Sequence, residues 1–212
     1  YIPSSSMEPN LLVGDRLFVS KYSYGYSQHS FPFSLKLFSG RIFTKSPERG
    51  DIIVFKTPED NRTDFIKRLI GLPGDTIQFR DGIIYLNEKI IERNITTNPS
   101  QINCSNMNVE VNTYQETLPK GKNYQAVYNK MGSMKNTDKF IVPEKHFFFM
   151  GDNRDCSKDS RYLNSVGYVN FNNLVGKANL IFFSNDKNIA RWYEFWKWHK
   201  SIRFDRFFKK IS

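Results

Sequence analysis

The sequence predicts a mostly β protein, with an antiparallel β-sheet core and a smaller inserted unit of strands and loops. Three observations carry this expectation. Short apolar runs recur between glycine, proline, asparagine and aspartate punctuation, as strands do. Asp81-Gly82 separates residues 76–79 from residues 83–86, a strong local hairpin signal. No stretch keeps its apolar residues on one helical face, residues 191–212 included.

In chain order, Pro3 to Pro9 is a polar turn holding Ser4, Ser5 and Ser6, and it leads into residues 11–19, with a strand after the Gly14-Asp15 turn. Residues 22–43 carry Tyr22, Tyr24, Tyr26, Phe31, Phe33, Phe38 and Phe43 among glycines and serines, which reads as an exposed aromatic loop. Arg49-Gly50-Asp51 turns into the apolar run 52–55, residues 65–71 make the next strand, and 72–75 form a tight turn. Residues 94–137 are polar and asparagine-rich with weak periodicity, so irregular β structure and long loops are expected there. Strand signals return at 139–143, 146–150 and 174–183, around a polar block at 151–161. The expected organisation is a discontinuous core of residues 1–85 and 138–185, an insertion at 86–137, and a basic aromatic tail at 186–212.

Composition narrows the function classes. With 212 residues and 39% hydrophobic content the chain can bury a real core. No window approaches the roughly 18 consecutive apolar residues that span a bilayer. Lysine and arginine number 31 against 21 acids, a net charge of +10 that draws the molecule to anionic surfaces. The 16% aromatic content favours a lipid headgroup region over nucleic acid. Cys104 and Cys156 form no CxxC pair, and none of His29, His146 and His199 lies near a second ligand, so no metal, cofactor or histidine triad is expected. Cys156 reads as a buried, inert thiol, with a Cys104–Cys156 bridge as the less favoured alternative.

A serine nucleophile needs a base, and without a persuasive histidine the candidate is a lysine held neutral by burial. Lys67 lies in Phe65-Ile66-Lys67-Arg68-Leu69-Ile70, where strand alternation places it with Phe65 and Leu69 and opposite Ile66 and Ile70. Spacing alone favours a lysine facing water.

Four segments, in order, change that expectation. They are Pro3-Ser4-Ser5-Ser6-Met7-Glu8-Pro9 ahead of Leu11-Leu12-Val13-Gly14-Asp15, then Arg49 to Phe55, then Ile66 to Asp75, then Met150-Gly151-Asp152-Asn153-Arg154-Asp155 through Arg161. In these the chain resembles the bacterial type I signal peptidases, membrane-bound proteases with a serine nucleophile and a lysine general base. The resemblance implies Ser6 as nucleophile, Lys67 as base, and the Ser4 hydroxyl with the Ser6 N–H as oxyanion hole. It implies Ser157 as the residue that orients the lysine, with Asp159 and Arg161 as a supporting charged pair. Ile2, Pro3, Met7, Leu11, Phe65 and Ile66 become substrate-binding residues. Ser5 reads as turn chemistry, and Asp152, Asn153 and Arg154 as a structural loop.

The implied activity is removal of N-terminal signal peptides from secretory preproteins after small residues at −3 and −1, with the substrate paired to the strand of Lys67. The implied partners are preproteins and the lipid bilayer surface, with no nucleic acid and a monomeric chain. The implied location is the outer, periplasmic face of the inner membrane, with an N-terminal anchor absent from this chain. Two rivals are another serine–lysine protease, such as a self-cleaving SOS repressor or a conjugative-transfer peptidase, and a basic β module for nucleic acid. The Gly-Asp-Asn-Arg block favours the signal peptidases over the first, and the four ordered segments favour them over the second.

Overall fold

The computed structural model describes residues 1–25, 44–104, 107–130, 132, 135–186, 189 and 195–211. Most of the predicted aromatic loop, 26–43, lies outside these. Of its described residues, Tyr22 is exposed, whereas Tyr24 is buried and donates its hydroxyl to Asp51.

The strands follow the apolar runs. In chain order they are β1 (Asp15–Ser20), β2 (Ile52–Lys56), β3 (Asp64–Gly71), β4 (Thr76–Arg80), β5 (Ile83–Leu86), β6 (Lys89–Ile90) and β7 (Glu92–Cys104). After them come β8 (Met107–Leu118), β9 (Lys122–Asn129), β10 (Phe140–Ile141), β11 (His146–Met150), β12 (Val169–Asn170), β13 (Leu174–Ser184) and β14 (Lys209–Lys210). They build three antiparallel sheets. The main one runs β1-β13-β2-β3-β11-β12 with β14 also on β13, a second runs β10-β4-β5-β6, and a third runs β7-β8-β9. The fold is therefore mostly β, as the sequence predicts.

Burial follows strand alternation where one face is wet and fails where both are covered. β4 and β5 bury Ile77, Phe79, Ile84 and Leu86 together with Leu118, Ala126 and Phe148, joining the second and third sheets to the main one. A second apolar cluster gathers Ile53, Phe55, Leu69, Phe149 and Leu174 in the main sheet. A third holds Ile2, Met7, Leu11, Ile52, Ala178 and Ile181, beneath the serine-bearing turn.

The first strand starts where expected, at the Gly14-Asp15 turn, and three expectations need correction. Within residues 94–137 the described stretch up to Asn129 is not irregular: β7, β8 and β9 pair in long antiparallel registers. Their outer face is so rich in threonine, asparagine and glutamine that hydropathy hides the alternation. Ahead of β1, in keeping with the expected turn, the chain folds back to bury Leu11 completely, and Gly14 sits at φ +97°, where a Cβ would lie 1.9 Å from the Asn185 carbonyl oxygen. Cys104 and Cys156 are disulfide-bonded, not free, so Cys156 is no inert thiol. Finally, the end of the chain is not a detached tail. β14 pairs with β13, and buried Arg206 forks onto the Asp15 carboxylate at 3.0 and 2.6 Å.

Candidate active site

The turn carrying the serines is fixed at both ends. The Ile2 N–H donates to the Asp15 carbonyl and the Gly14 N–H to the Ile2 carbonyl, laying residue 2 beside the start of β1. The Leu11 N–H closes onto the Met7 carbonyl, and Ile2, Met7 and Leu11 anchor the turn in the core. Ser5 serves this turn, its carbonyl accepting the Glu8 N–H. Ser6 is left buried but facing β3.

Lys67 lies mid-strand in β3, opposite Ile53 of β2, and is 4% exposed. Its Nζ is 2.7 Å from the Ser6 Oγ and 3.0 Å from the Ile66 carbonyl oxygen, which accepts from it. The Phe65 ring centroid lies 5.2 Å from Nζ, on the side alternation assigned to it. Burial pushes the Lys67 pKa down to about 8, the nearby Arg161 adding to the effect and the Asp159 and Asp152 carboxylates opposing it. The Ser4 hydroxyl, on the exposed side, is 3.4 Å from the Ser6 hydroxyl.

Residues 151–161 close the site from the other side. The Asn153 N–H donates to the Ser6 carbonyl and its Nδ2 to the Ser5 carbonyl, each at 3.2 Å. Asp159 takes a forked pair from Arg161 at 2.8 and 2.9 Å and a further bond from the Gly151 N–H. Burial alone would raise the Asp159 pKa, but Arg161, the Gly151 N–H and the neighbouring Ser157 hydroxyl outweigh it and hold the carboxyl below its ordinary value. Ser157 Oγ is buried with no formed hydrogen bond of its own among the described residues. A Cβ on Gly151 would meet that Oγ at 2.2 Å and the Ser6 carbonyl oxygen at 2.5 Å, so glycine is what lets the loop approach.

The structure thus brings together Ser4, Ser6, Lys67, Ser157, Asp159 and Arg161. Of the residues assigned to substrate binding, Pro3 is exposed and Phe65 and Ile66 are half-buried, whereas Ile2, Met7 and Leu11 lie in the core behind them. β11 pairs with β3 only from Arg68 onward, so among the described residues no strand covers the other edge of β3 at residues 64–67. Sequence reasoning missed Asn10, which ties the turn to Asp152 at 2.7 Å, and Glu116, which receives Arg154. Among the described residues no cluster of three or more His, Cys, Asp or Glu side chains could hold a metal ion, and no helix is long and apolar enough to cross a membrane.

A buried serine–amine pair on a β scaffold belongs to the world of peptidases, and the comparisons agree on that class. Residues 1–183 match the family described as signal peptidase, peptidase S26, and the chain belongs to that family. Signal peptidase I of Rickettsia bellii (strain OSU 85-389) is 43% identical over 229 residues, covering 99% of this chain and 76% of the relative. That of Rickettsia prowazekii (strain Madrid E) is 42% identical over 238 residues, covering 99% and 84%. A crystal structure of a signal peptidase I from Enterococcus faecalis V583 is 29% identical and covers 63% of this chain and 97% of its own, with a TM-score of 0.37.

Proposed function

We propose that this protein removes N-terminal signal peptides from exported preproteins, hydrolysing one peptide bond with Ser6 as nucleophile and Lys67 as general base. The observation that carries the reading is the 2.7 Å approach of the buried Lys67 Nζ to the Ser6 Oγ. With its pKa lowered to about 8, a substantial fraction of Lys67 is neutral near physiological pH and can accept a proton.

In the first step neutral Lys67 takes the Ser6 proton as Oγ attacks the scissile carbonyl carbon. The negative charge that develops on the carbonyl oxygen is met by the Ser4 hydroxyl and the Ser6 N–H, donors of a kind worth on the order of 10²–10³ in rate. The Lys67 ammonium then protonates the departing amine, the new N-terminus of the mature protein. Lys67, neutral again, deprotonates a water that hydrolyses the Ser6 ester. Ser157 orients Lys67, and the Asp159–Arg161 pair keeps the loop beneath the amine in place.

The substrate adds as a strand to the uncovered edge of β3 at residues 64–67. Its −1 and −3 side chains then meet Pro3, Phe65 and Ile66, with Ile2, Met7 and Leu11 as the floor; small side chains fit and larger ones overlap. The site works on the outer face of the inner membrane, close to lipid. The Cys104–Cys156 disulfide supports that placement, since such bonds persist in oxidising compartments. Incubation with a preprotein bearing an Ala-x-Ala site, with mass-spectrometric identification of the bond cut, tests the reading. Ser6→Ala and Lys67→Ala each abolish cleavage and leave the far-UV spectrum unchanged; full activity in either overturns the mechanism.

A further inference from the structure

Three buried ion pairs hold residues 151–161: Arg68–Asp152, Arg161–Asp159 and Arg154–Glu116, with every side chain at most 2% exposed. The first two join the loop to β3 and to itself. The third reaches into the inserted sheet, to Glu116 of β8. Arg154 forks onto the Glu116 carboxylate at 3.0 and 2.7 Å, and the hydroxyls of Tyr124 and Tyr128 donate to the same carboxylate.

The same guanidinium governs the loop. Its Nε donates to the Gly151 carbonyl, the Gly151 N–H holds Asp159, and the Arg154 carbonyl accepts from Arg161. The backbone follows the inserted sheet as well. The Val127 N–H donates to the Asp152 carbonyl and the Arg154 N–H returns to Val127, both at 2.9 Å, while the Asn129 N–H reaches the Asp155 carboxylate. Cys156 is then tied to Cys104 at the end of β7. A single parallel bridge, Val127 to Asn153, seats the loop along β9.

We infer that Glu116 is a positioning residue for the peptidase reaction: through Arg154 it holds the loop of Ser157, Asp159 and Arg161, and it balances the buried charge around Lys67. The inference rests on the Ser6–Lys67 reading above. The charged groups facing Lys67 are Asp159, Asp152 and Arg161, and Asp152 is shared between Arg68 and Arg154. Those facing Glu116 are Arg154, the two phenols of β9, Arg68 stacked 4.2 Å from the Tyr124 ring, and Arg93 of β7, paired directly across from Glu116 and 4.8 Å from the Tyr128 ring. The three buried pairs set three arginines against three carboxylates, with half-buried Arg93 a further cation on the Glu116 side. Losing the Glu116 charge leaves one buried cation in excess, which disfavours a proton on Lys67.

The test is the pH dependence of kcat and KM on a preprotein. Glu116→Gln keeps the shape and loses the charge, so the acid limb of kcat/KM moves down, by about 0.5 pH unit or more. Its kcat falls at least about tenfold with KM nearly unchanged, because Glu116 never touches substrate. In Glu116→Gln/Arg154→Met the charges cancel again, and the limb returns to its wild-type position while kcat stays low. Glu116→Asp keeps the charge and loses reach, lowering kcat without moving the limb.

A folded Glu116→Gln protein with the wild-type limb overturns the inference, for a purely structural role would slow the enzyme without moving the profile. Should that variant not fold, Arg154→Met decides in the opposite sense: it leaves the Glu116 charge in excess, so the limb moves up, and an unmoved limb in the folded variant overturns the inference. Ser6→Ala and Lys67→Ala run alongside keep the two failures apart. If they are inactive and the Glu116 variants are normal, only the inference fails; if they are active, the serine–lysine reading itself fails.

Discussion

Lys67 shows at the scale of one residue how a site is bought with stability. Its pKa is about 8 in the folded chain against 10.5 for the free side chain, and burial is the main cause. Between those values the unfolded chain holds a proton that the folded one lacks, so stability rises with pH across that window. Below about pH 8 both states are protonated, and the folded state bears the whole penalty of a buried ammonium, about 3 kcal/mol. Lys67→Met therefore raises the thermal midpoint at pH 6.5 by several degrees and has little effect near pH 10.5. Calorimetry at the two pH values checks this, and an equal gain at both would contradict it. In the opposite sense, wild-type cleavage falls as pH drops through about 8, since the base must be neutral to act. Alternation alone made the neighbours of Lys67 legible: Phe65 does lie beside it. Its burial was not legible from spacing, because the cover comes from residues 1–11 and 151–161, distant segments that only the ordered motifs linked to it.

At the scale of elements, the inserted sheet was the least legible part of the chain and does the most to hold the site. β8 buries Val111, Thr113, Glu116 and Leu118 among threonines, asparagines and glutamines that mask any apolar period. A buried glutamate cannot be recognised from a single strand, because its justification is an arginine in another element. The disulfide was obscured for the same reason: Cys104 fell in a stretch that looked like loop, so a bond to the polar block had no geometric support. That bond closes 52 residues of chain. On chain entropy such a closure stabilises by up to about 4 kcal/mol. Reduction should therefore lower the thermal midpoint by on the order of 10 °C. Melting with and without a phosphine reductant measures it, with Cys104→Ser/Cys156→Ser as the control that no longer responds. A midpoint indifferent to reductant would mean that β9 and Glu116 hold the loop unaided.

Over the whole molecule, the +10 charge and the aromatic surplus acquire a location. Phe18 of β1 pairs across Leu180 of β13 to Lys210 of β14, and around this row Phe182, Phe204 and Phe208 are exposed beside Arg16 and Lys209. Exposed apolar rings rimmed by cations suit an anionic lipid surface, where rings sit at headgroup depth and lysines meet phosphate. The face adjoins the nucleophile turn, since Arg206 binds both Asp15 and the Asn10 carbonyl. Deleting residues 191–212 would be a poor probe of it, because Arg206 is part of the buried framework; surface substitutions leave that framework whole. The protein should cosediment with vesicles containing phosphatidylglycerol and much less with pure phosphatidylcholine, and salt should weaken the electrostatic part of the binding. Phe18→Ser/Phe208→Ser should reduce sedimentation several-fold at low salt with an unchanged thermal midpoint, since both side chains are more than half exposed in the free protein. Undiminished binding by that variant would place the lipid contact on another face, away from the turn that carries Ser6.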